Sequence, residues 1–346
     1  MASASDLGIA IVGAGVVARY HAQAIAKARG ARLVATCRSD PGKAAAAQAE
    51  FGVPCETSYD AVLARRDVDA VCLCTPSGLH AAQTLAAARA KKHVLVEKPM
   101  ALTVEDADAM IAACYEAGVT LGVALQRRTE PAYQAVRGAI AAGGLGRPVA
   151  GLALVPYFRA QSYYDSAKWR GTWAEDGGGA LMNQGIHIVD LLLWFMGDPD
   201  EVQGRAATLS HSIEVEDSLA ASLRFKSGAL GSVVATTSAS PGFAHRVEVY
   251  GTRGGVQLEA EAVVRWESEA PPTLSQSVAP GASGAGAGAS PTGLAPAGHM
   301  RILADFVSAV RDGRPPLVPG EEGRRSVSLV LAIYEAARTG RPTRPR

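Results

Sequence analysis

Lys98 stands where a cationic side chain could take part in a reaction. It lies in the motif Glu97-Lys98-Pro99, directly after the apolar run Val94-Leu95-Val96. The carboxyl ends of buried parallel strands are where open α/β sheets bind ligands. An ammonium group there can stabilise negative charge that develops on a substrate. The position therefore predicts a catalytic lysine.

A glycine-rich turn near the N-terminus predicts the ligand that lies beside this lysine. The motif Gly13-x-Gly15-x-x-Ala18 follows an apolar strand and precedes a helix, which is the context of a dinucleotide-binding turn. Its glycines let the backbone approach a pyrophosphate, and the helix N-terminus donates N–H groups to it. A tight turn without a ligand is the alternative. The expected contacts are Gly13, Gly15, Val16 and Val17.

The end of the second strand indicates which dinucleotide is bound. An acidic residue there would bind the 2′-hydroxyl of NAD. The sequence instead has Cys37-Arg38-Ser39, with Asp40 one position later. Arg38 and Ser39 suit the 2′-phosphate of NADP, which is therefore favoured over NAD. The alternative is a solvated arginine that tolerates either cofactor.

Later strand ends supply the other expected cofactor contacts. Thr75-Pro76 ends the third strand, and His80 opens the next helix, where it could equally be a structural residue. The loops after the following two strands are expected at the same edge of the sheet, where open α/β sheets bind their ligands. The expected contacts in these loops are Thr75, Pro76, His80, Glu97, Lys98 and Gln126.

A predicted helix over 178–196 carries a second group of reactive side chains. Asn183, His187, Asp190 and Trp194 follow one another at spacings of four, three and four residues, which places them along one face. A histidine there can act as general acid or base at neutral pH, and a buried structural histidine is the alternative. Asp190 is expected to cap or orient, and Trp194 to belong to the core.

The segment before that helix, Gln161 to Trp173, is dense in aromatic and hydrogen-bonding side chains. Such a segment suits polyhydroxylated substrates, although a surface loop anchored by its tryptophans would have the same composition. The expected substrate contacts are Tyr164, Trp169, Arg170, Asn183 and His187.

Two domains are expected to position these groups. Residues 1–126 alternate apolar strands with helices, which predicts an α/β domain with a parallel sheet and right-handed crossovers. Residues 127–346 predict an α+β domain with a large, mostly antiparallel open sheet, interrupted by a flexible Pro/Gly/Ala/Ser-rich loop at 270–298. Such a sheet has one face left over, so we expect a homodimer or homotetramer.

Bulk composition excludes several classes of protein. The chain has 34 basic and 33 acidic residues, so no charge excess points to nucleic acid. No stretch approaches the roughly 20 apolar residues of a membrane span, and the N-terminus does not resemble a signal peptide. The five cysteines form no Cys-x-x-Cys pair, and Cys72 and Cys74 alternate on one face of a strand as packing residues. We expect a cytoplasmic protein without a metal site.

These motifs together resemble the glucose–fructose oxidoreductase / inositol dehydrogenase / rhizopine-catabolism (Gfo/Idh/MocA) family. The resemblance runs through essentially the whole chain outside the low-complexity loop. Its markers are the glycine turn, Thr75-Pro76-x-x-x-His80, Lys92 to Pro99, Gly177 to Asp190, and Tyr334 to Pro342. It implies an N-terminal Rossmann domain, an oligomerising C-terminal domain, and NAD(P)-dependent chemistry at a sugar or cyclitol carbon.

The resemblance also assigns site residues and shows one departure. The family's lysine maps to Lys98 and its helix histidine to His187. Many members have an aspartate four residues before that histidine, where this chain has Asn183. An amide can hold a hydroxyl group but cannot take its proton. The segments around Tyr163, Trp169 and Asn183 also resemble relatives that act on nucleotide-linked uronic acids.

The expected reaction is a reversible hydride transfer between nicotinamide C4 and a secondary alcohol carbon of a sugar, cyclitol or sugar acid. His187 would take the hydroxyl proton, Lys98 would stabilise the alkoxide, and Asn183 would fix the hydroxyl geometry. The alternatives are a redox-neutral NAD-dependent glycosidase and a non-catalytic dinucleotide or sugar sensor. A sensor would need neither Lys98 nor His187.

Overall fold

The computed structural model describes residues 6–268, 288–289 and 296–346. Most of the loop predicted at 270–298 lies outside these residues. The chain divides into two compact units, Met1–Gln126 with Ala295–Arg324 and Arg127–Leu294 with Arg325–Arg346. This division differs from the predicted domain of 127–346 over residues 295–324, which belong to the first unit. No helix in the described part of the chain is long and apolar enough to cross a membrane.

Among the described residues of the first unit, six strands form a parallel sheet in the order β3-β2-β1-β4-β5-β6. The predicted parallel sheet is therefore confirmed. Its central strands are apolar on both faces because helices cover both sides. The strands are β1 (Leu7–Val12), β2 (Ala31–Cys37), β3 (Cys55–Glu56), β4 (Ala70–Leu73), β5 (His93–Val96) and β6 (Leu121–Val123).

Helices follow the strands of the first unit. They are α1 (Val16–Lys27), α2 (Ala44–Phe51), α3 (Tyr59–Ala64), α4 (His80–Arg89), α5 (Val104–Ala117) and, from the distant C-terminal segment, α9 (Pro296–Asp312). On α9, Leu303, Phe306 and Val307 are buried in the same hydrophobic cluster as Ile9 and Leu95 of the sheet. This long-range packing places α9 in the first unit, and local periodicity carries no sign of it.

In the part of the second unit that the structure describes, seven strands form a sheet in the order β13-β12-β11-β7-β10-β9-β8. Only the β7–β10 pair is parallel among them, so the predicted mostly antiparallel sheet is confirmed. The strands are β7 (Pro148–Pro156), β8 (Pro199–Ala207), β9 (Ser218–Phe225), β10 (Leu230–Thr236), β11 (Arg246–Gly251), β12 (Gly254–Glu259) and β13 (Ala262–Ser268).

One face of this sheet packs against helix α8 (Ile186–Met196). The approach is close: a Cβ at Gly151 of β7 would lie 2.9 Å from Met196 and 3.0 Å from Leu192. Side chains on β7, β9 and β10 alternate between buried and more exposed positions, because successive residues of a strand point to opposite faces. The remaining helices here are α6 (Pro131–Ala141), α7 (Gln161–Asp165) and α10 (Gly320–Thr339), whose first five residues belong to the first unit.

The predicted helix over 178–196 was wrong in its first part. Ala180–Gly185 forms a π-helical turn, and the regular α-helix begins only at Ile186. Asn183 and His187 therefore do not follow the regular i, i+4 spacing of one α-helix, on which the predicted common face depended. The short elements β3, α3 and α7 and the edge strand β13 were not predicted.

Candidate active site

The glycine turn after β1 forms an open cradle at the start of α1. Gly13 has a φ of +95°, and a Cβ there would lie 2.6 Å from the Cys74 carbonyl oxygen, so only glycine fits. Gly15 is the N-cap of α1, and a Cβ at this position would meet no atom within 4 Å. The first N–H groups of α1, including those of Val16 and Val17, have no intrahelical partner. These residues fit a dinucleotide pyrophosphate.

Arg38 lies beside this cradle at the end of β2. Its Nη1 donates to the Ala14 carbonyl oxygen at 3.0 Å, so the guanidinium adjoins the glycine turn. Asp40 instead caps the 3₁₀ turn Pro41–Lys43, where its Oδ1 accepts from the Gly42 N–H at 3.0 Å. Ser39 between them is exposed. A cationic side chain therefore adjoins the cradle where NAD-specific enzymes have an acidic one.

His80 has a structural environment. Its ring is buried, with Nδ1 2.9 Å from the Pro99 carbonyl oxygen and Nε2 3.0 Å from that of Thr75. Burial lowers the pKa of His80, which favours a neutral ring that donates to one of these carbonyls. Next to it, Thr75 donates to Gln83 at 2.6 Å and Pro76 precedes the 3₁₀ turn Ser77–Leu79. His80 thus joins the loop after β4 to the loop after β5.

Glu97 is directed into the interior of the first unit. Its Oε1 lies 2.7 Å from His21 Nε2, and its Oε2 accepts from the Lys98 N–H at 3.2 Å. Burial alone would raise the pKa of Glu97, but the hydrogen bonds and charges of His21 and His299 hold it well below its ordinary value. Glu97 therefore fixes the backbone of Lys98, which is half-buried and joined to Pro99 by a cis peptide bond. The cofactor contact predicted for Glu97 stays a prediction.

Three other positions of the first unit that the sequence analysis named are Gln126, Cys72 and Cys74. Gln126 is buried and opens the 3₁₀ turn Gln126–Thr129 directly after β6. Cys72 and Cys74 lie with their sulfur atoms 4.0 Å apart, so they share one face of their strand as expected.

In the second unit, the π turn places Asn183 against a carboxylate. Asn183 Nδ2 donates to Asp176 Oδ1 at 2.5 Å, and Asp176 Oδ2 accepts from the Gly171 N–H at 2.9 Å. Asp176 is 2% exposed. His187 follows as the second residue of α8 and is also buried. Asp176 was not predicted from the sequence, where its one local signal is its position before Gly177-Gly178-Gly179.

Glu216 anchors the start of the π turn. Its carboxyl group accepts hydrogen bonds from the Gly179 N–H at 2.9 Å, the Leu181 N–H at 2.8 Å and the Tyr334 hydroxyl at 2.8 Å. Burial raises the pKa of Glu216 to about 7, although the hydrogen bonds from these groups oppose the shift. This anchor holds the segment that carries Asn183, and it too was missed from the sequence.

Asp190 pairs with Arg128 inside the second unit. Arg128 Nε and Nη2 donate to its two carboxylate oxygens at 2.8 and 2.7 Å, and the Ser326 hydroxyl donates at 2.8 Å. The Arg128 guanidinium also lies 5.3 Å from the centre of the Trp194 ring. This geometry agrees with the orienting role expected of Asp190, because it fixes α8 one turn beyond His187.

Arg170 lies between two aromatic rings. Its guanidinium carbon is 4.3 Å from the centre of the Tyr163 ring and 4.5 Å from that of Trp169, and Nη1 donates to the Tyr163 hydroxyl at 2.6 Å. The same hydroxyl accepts from Gln184 Nε2 at 3.4 Å, which connects Arg170 to the π turn. Among the described residues, Arg170 has no acidic ion-pair partner. Tyr164 instead is buried, and its hydroxyl bonds to Thr237 at 2.8 Å.

Comparison with known proteins also divides the chain into a Rossmann domain and a C-terminal domain. Residues 7–125 match the model of an oxidoreductase family with an NAD-binding Rossmann fold, and residues 133–257 match the GFO/IDH/MocA C-terminal domain. The chain belongs to the Gfo/Idh/MocA family. It is accordingly an NAD-binding oxidoreductase, and its Rossmann domain contains Lys98 while its second matched domain contains His187.

Gfo/Idh/MocA relatives with recorded activities resemble it over most of their length. The 1,5-anhydro-D-fructose reductase of Ensifer adhaerens is 34% identical over 95% of this chain and 96% of its own. The inositol 2-dehydrogenase of Rhizobium meliloti is 31% identical over 74% and 77%. The crystal structure of the WlbA dehydrogenase from Bordetella pertussis, in complex with NADH and UDP-GlcNAcA, matches with a TM-score of 0.87 at 35% identity, covering 98% of each chain.

Proposed function

We propose that this protein catalyses reversible hydride transfer between a nicotinamide dinucleotide and a secondary alcohol carbon of a sugar acid, in nucleotide-linked form. Sugars and cyclitols are the substrates named for its relatives, and the solved WlbA relative was crystallised with UDP-GlcNAcA. A bound nicotinamide cofactor would supply the hydride acceptor or donor at its C4 atom. The chain's own residues bind the substrate and handle the proton.

The observation that carries the sugar-acid assignment is the environment of Arg170. A half-buried guanidinium between two rings has lost part of its hydration, yet no described carboxylate pairs with it. Guanidinium groups bind carboxylates through two parallel hydrogen bonds. The Tyr163 and Trp169 rings fix the direction of the fork and offer apolar faces to a sugar ring. A substrate carboxylate would supply the missing partner.

The proposed proton chemistry uses three residues. His187 accepts the proton of the substrate hydroxyl as the carbon gives up its hydride, and returns the proton in the reverse direction. Lys98 stabilises the negative charge that develops on the oxygen. Asn183 holds the hydroxyl in place. The buried positions of His187 and of the Glu97 carboxylate that bonds to the Lys98 backbone support this assignment.

For the cofactor we propose that NADP is used in preference to NAD. Arg38 adjoins the glycine turn, and Asp40 is engaged in capping a 3₁₀ turn. Comparing kcat/KM for the two cofactors in the wild type and in Arg38→Ala tests this. Arg38→Ala should lower kcat/KM with NADP and leave it nearly unchanged with NAD. Equal losses with both cofactors would contradict the preference.

The substrate proposal is tested by comparing an acid with its neutral counterpart. UDP-GlcNAcA and UDP-GlcNAc are offered with NAD or NADP, and reduced nicotinamide is followed by absorbance. Turnover should be confined to the acid. Arg170→Gln should raise KM for the acid about 10- to 100-fold, since a hydrogen bond to a charged group contributes about 1.5–3 kcal/mol. Equal turnover of acid and neutral sugar would refute the assignment.

The proton assignment is tested by Lys98→Ala and His187→Ala. Both variants should bind the reduced cofactor, as judged by its fluorescence, and both should lose most of kcat. Full turnover in Lys98→Ala would remove the lysine from the mechanism. Cleavage of a glycosidic bond without net cofactor reduction would indicate the redox-neutral glycosidase reaction instead.

We also propose that the protein is a homodimer or homotetramer that buries the second face of its seven-stranded sheet. Apolar side chains on this second face remain exposed: Leu152, Leu230 and Val234. Exposed apolar patches of this kind mark association surfaces. Light scattering after gel filtration should give a dimer or tetramer mass for the wild type and a smaller mass for Leu230→Arg. A monomeric wild type would exclude this proposal.

A further inference from the structure

Asn183 is the single asparagine of the 346-residue chain, and it contacts a buried carboxylate. Its Nδ2 donates to Asp176 Oδ1, while the second carboxylate oxygen of Asp176 accepts from the Gly171 N–H. Asp176 is 2% exposed, so this carboxylate lies behind Asn183 and away from solvent. The hydrogen bond between them therefore runs from the Asn183 amide nitrogen to the Asp176 carboxylate.

The chemistry of the two groups fixes which way the amide faces. An ionised carboxylate only accepts hydrogen bonds, whereas an amide has a donating nitrogen and an accepting oxygen on opposite sides. If the amide were reversed, its Oδ1 would lie against the carboxylate oxygen and the two acceptors would repel. Asp176 thus selects the orientation in which Asn183 Oδ1 points to the opposite side. An oxygen in this position can accept a hydrogen bond from a hydroxyl group but cannot donate one.

We propose that Asp176 is a positioning residue that makes Asn183 a hydrogen-bond acceptor toward the substrate hydroxyl. This inference rests on the proposed function. An aspartate at position 183 would present an accepting oxygen directly. Here an amide presents the oxygen, and the negative charge lies one hydrogen bond behind it, on Asp176. The pair thereby keeps an acceptor at the substrate without placing a full charge beside it.

An exchange of the two residues tests the proposal. Asp176→Asn alone leaves two amides with no fixed orientation, and Asn183→Asp alone places two carboxylates against each other. In the double variant Asp176→Asn/Asn183→Asp, the introduced amide can still accept from Gly171 and can donate to the introduced carboxylate. Each single variant should lower kcat/KM about 10- to 100-fold, and the double variant should regain most of that loss.

A matched control separates this effect from the general loss of an aspartate–amide bond. Asp305 Oδ2 accepts from the Leu317 backbone amide at 2.5 Å on α9, outside the segments expected to bind substrate or cofactor. Asp305→Asn should leave kcat/KM unchanged. If Asp176 only supports the fold, the single and double variants will lose activity alike, because the exchange restores orientation and not the original residue. That outcome would overturn the proposal.

A second readout does not depend on turnover. Selective ¹⁵N labelling of asparagine side chains gives a single NH₂ signal pair, because Asn183 is the only asparagine. One of its two protons should be shifted downfield by the bond to the carboxylate, and Asp176→Ala, which adds no second asparagine, should abolish the shift. An unchanged signal in Asp176→Ala overturns the proposal even in an active enzyme. If the wild type oxidises no sugar acid while the signal depends on Asp176, the proposed substrate fails and the orienting role of Asp176 is supported.

Discussion

The buried ion pair between Arg128 and Asp190 allows a quantitative test of what holds α8 in place. The side chains of Arg128 and Asp190 are 3% and 1% exposed, and two hydrogen bonds of 2.8 and 2.7 Å join them. Asp190→Asn keeps the size of the side chain but removes its charge. The buried guanidinium of Arg128 would then lose the negative charge of the carboxylate that it binds.

The expected cost is large because both groups are buried. Removing one partner of a buried pair costs about 3–5 kcal/mol in free energy of unfolding. At about 2–4 °C per kcal/mol for a unit of this size, Tm should fall by about 6–20 °C. The double variant Arg128→Met/Asp190→Leu removes both charges and should recover much of the loss, since apolar replacements of buried pairs are often neutral or stabilising.

The chain offers a matched control with similar geometry and different burial. Arg224 donates to the two oxygens of Asp200 at 3.1 and 3.2 Å, but the side chains are 46% and 37% exposed. Water screens this pair, so Asp200→Asn should leave Tm and the free energy of unfolding nearly unchanged. Thermal and chemical denaturation of the four proteins measure both effects. Comparable losses for Asp190→Asn and Asp200→Asn would refute the argument that burial sets the cost.

Three further outcomes are expected. Burial raises the pKa of the Glu216 carboxyl group from 4.5 to about 7, so the folded state holds this proton more tightly and is stabilised most below pH 4.5, with the stabilisation declining as the pH rises to 7. Glu216→Gln should flatten this part of the plot of unfolding free energy against pH by up to about 3 kcal/mol, whereas the exposed variant Glu321→Gln should not. The lowered pKa of Glu97 affects stability in the opposite direction, because the ionised carboxylate stabilises the fold above its ordinary pKa and this stabilisation is lost on acidification. Glu97→Gln should therefore lower the free energy of unfolding by on the order of 3 kcal/mol at pH 7 and by progressively less in acid, which denaturation at several pH values would measure. Gly13→Ala should abolish cofactor binding measured by fluorescence, because the added Cβ would clash with the Cys74 carbonyl group. The control Gly52→Ala, at a φ of +70° with no atom within 4 Å of the added Cβ, should bind the cofactor normally and lose only about 1–2 kcal/mol in free energy of unfolding.

The strands and helices that the sequence predicted correctly have a strong local signal. β1, β4 and β5 are apolar on both faces, and the central helices have clear starts and ends, as in α5 between Thr103 and Gly118. The placement of α9 in the first unit depends on contacts between Phe306 and distant strands, which no local pattern records. The short strand β3 has only two residues, too few for periodicity to show.

The reactive residues of the candidate site could be predicted from the sequence, but the residues that hold them in place could not. Lys98, Asn183 and His187 lie in motifs with recognisable neighbours, so their positions could be named. Asp176 and Glu216 act through hydrogen bonds to Asn183 and to the backbone of the π turn. Their partners come from other loops, so the sequence around each shows only an ordinary acidic residue. The π turn itself has no sequence signal, since its shape depends on these anchors.

The π turn of Ala180–Gly185 separates two parts of one continuous helical segment. Adding one residue to a helical turn rotates the residues before it by about 100° relative to the residues after it. The part that packs on the sheet, from Ile186 onward, can thus keep its register while the part that carries Asn183 is turned independently. Ala180, Leu181 and Met182 are themselves fully buried, so a single-residue insertion or deletion here would turn Asn183 and repack these side chains at the same time. The length of this turn therefore sets the direction of the Asn183 side chain relative to α8.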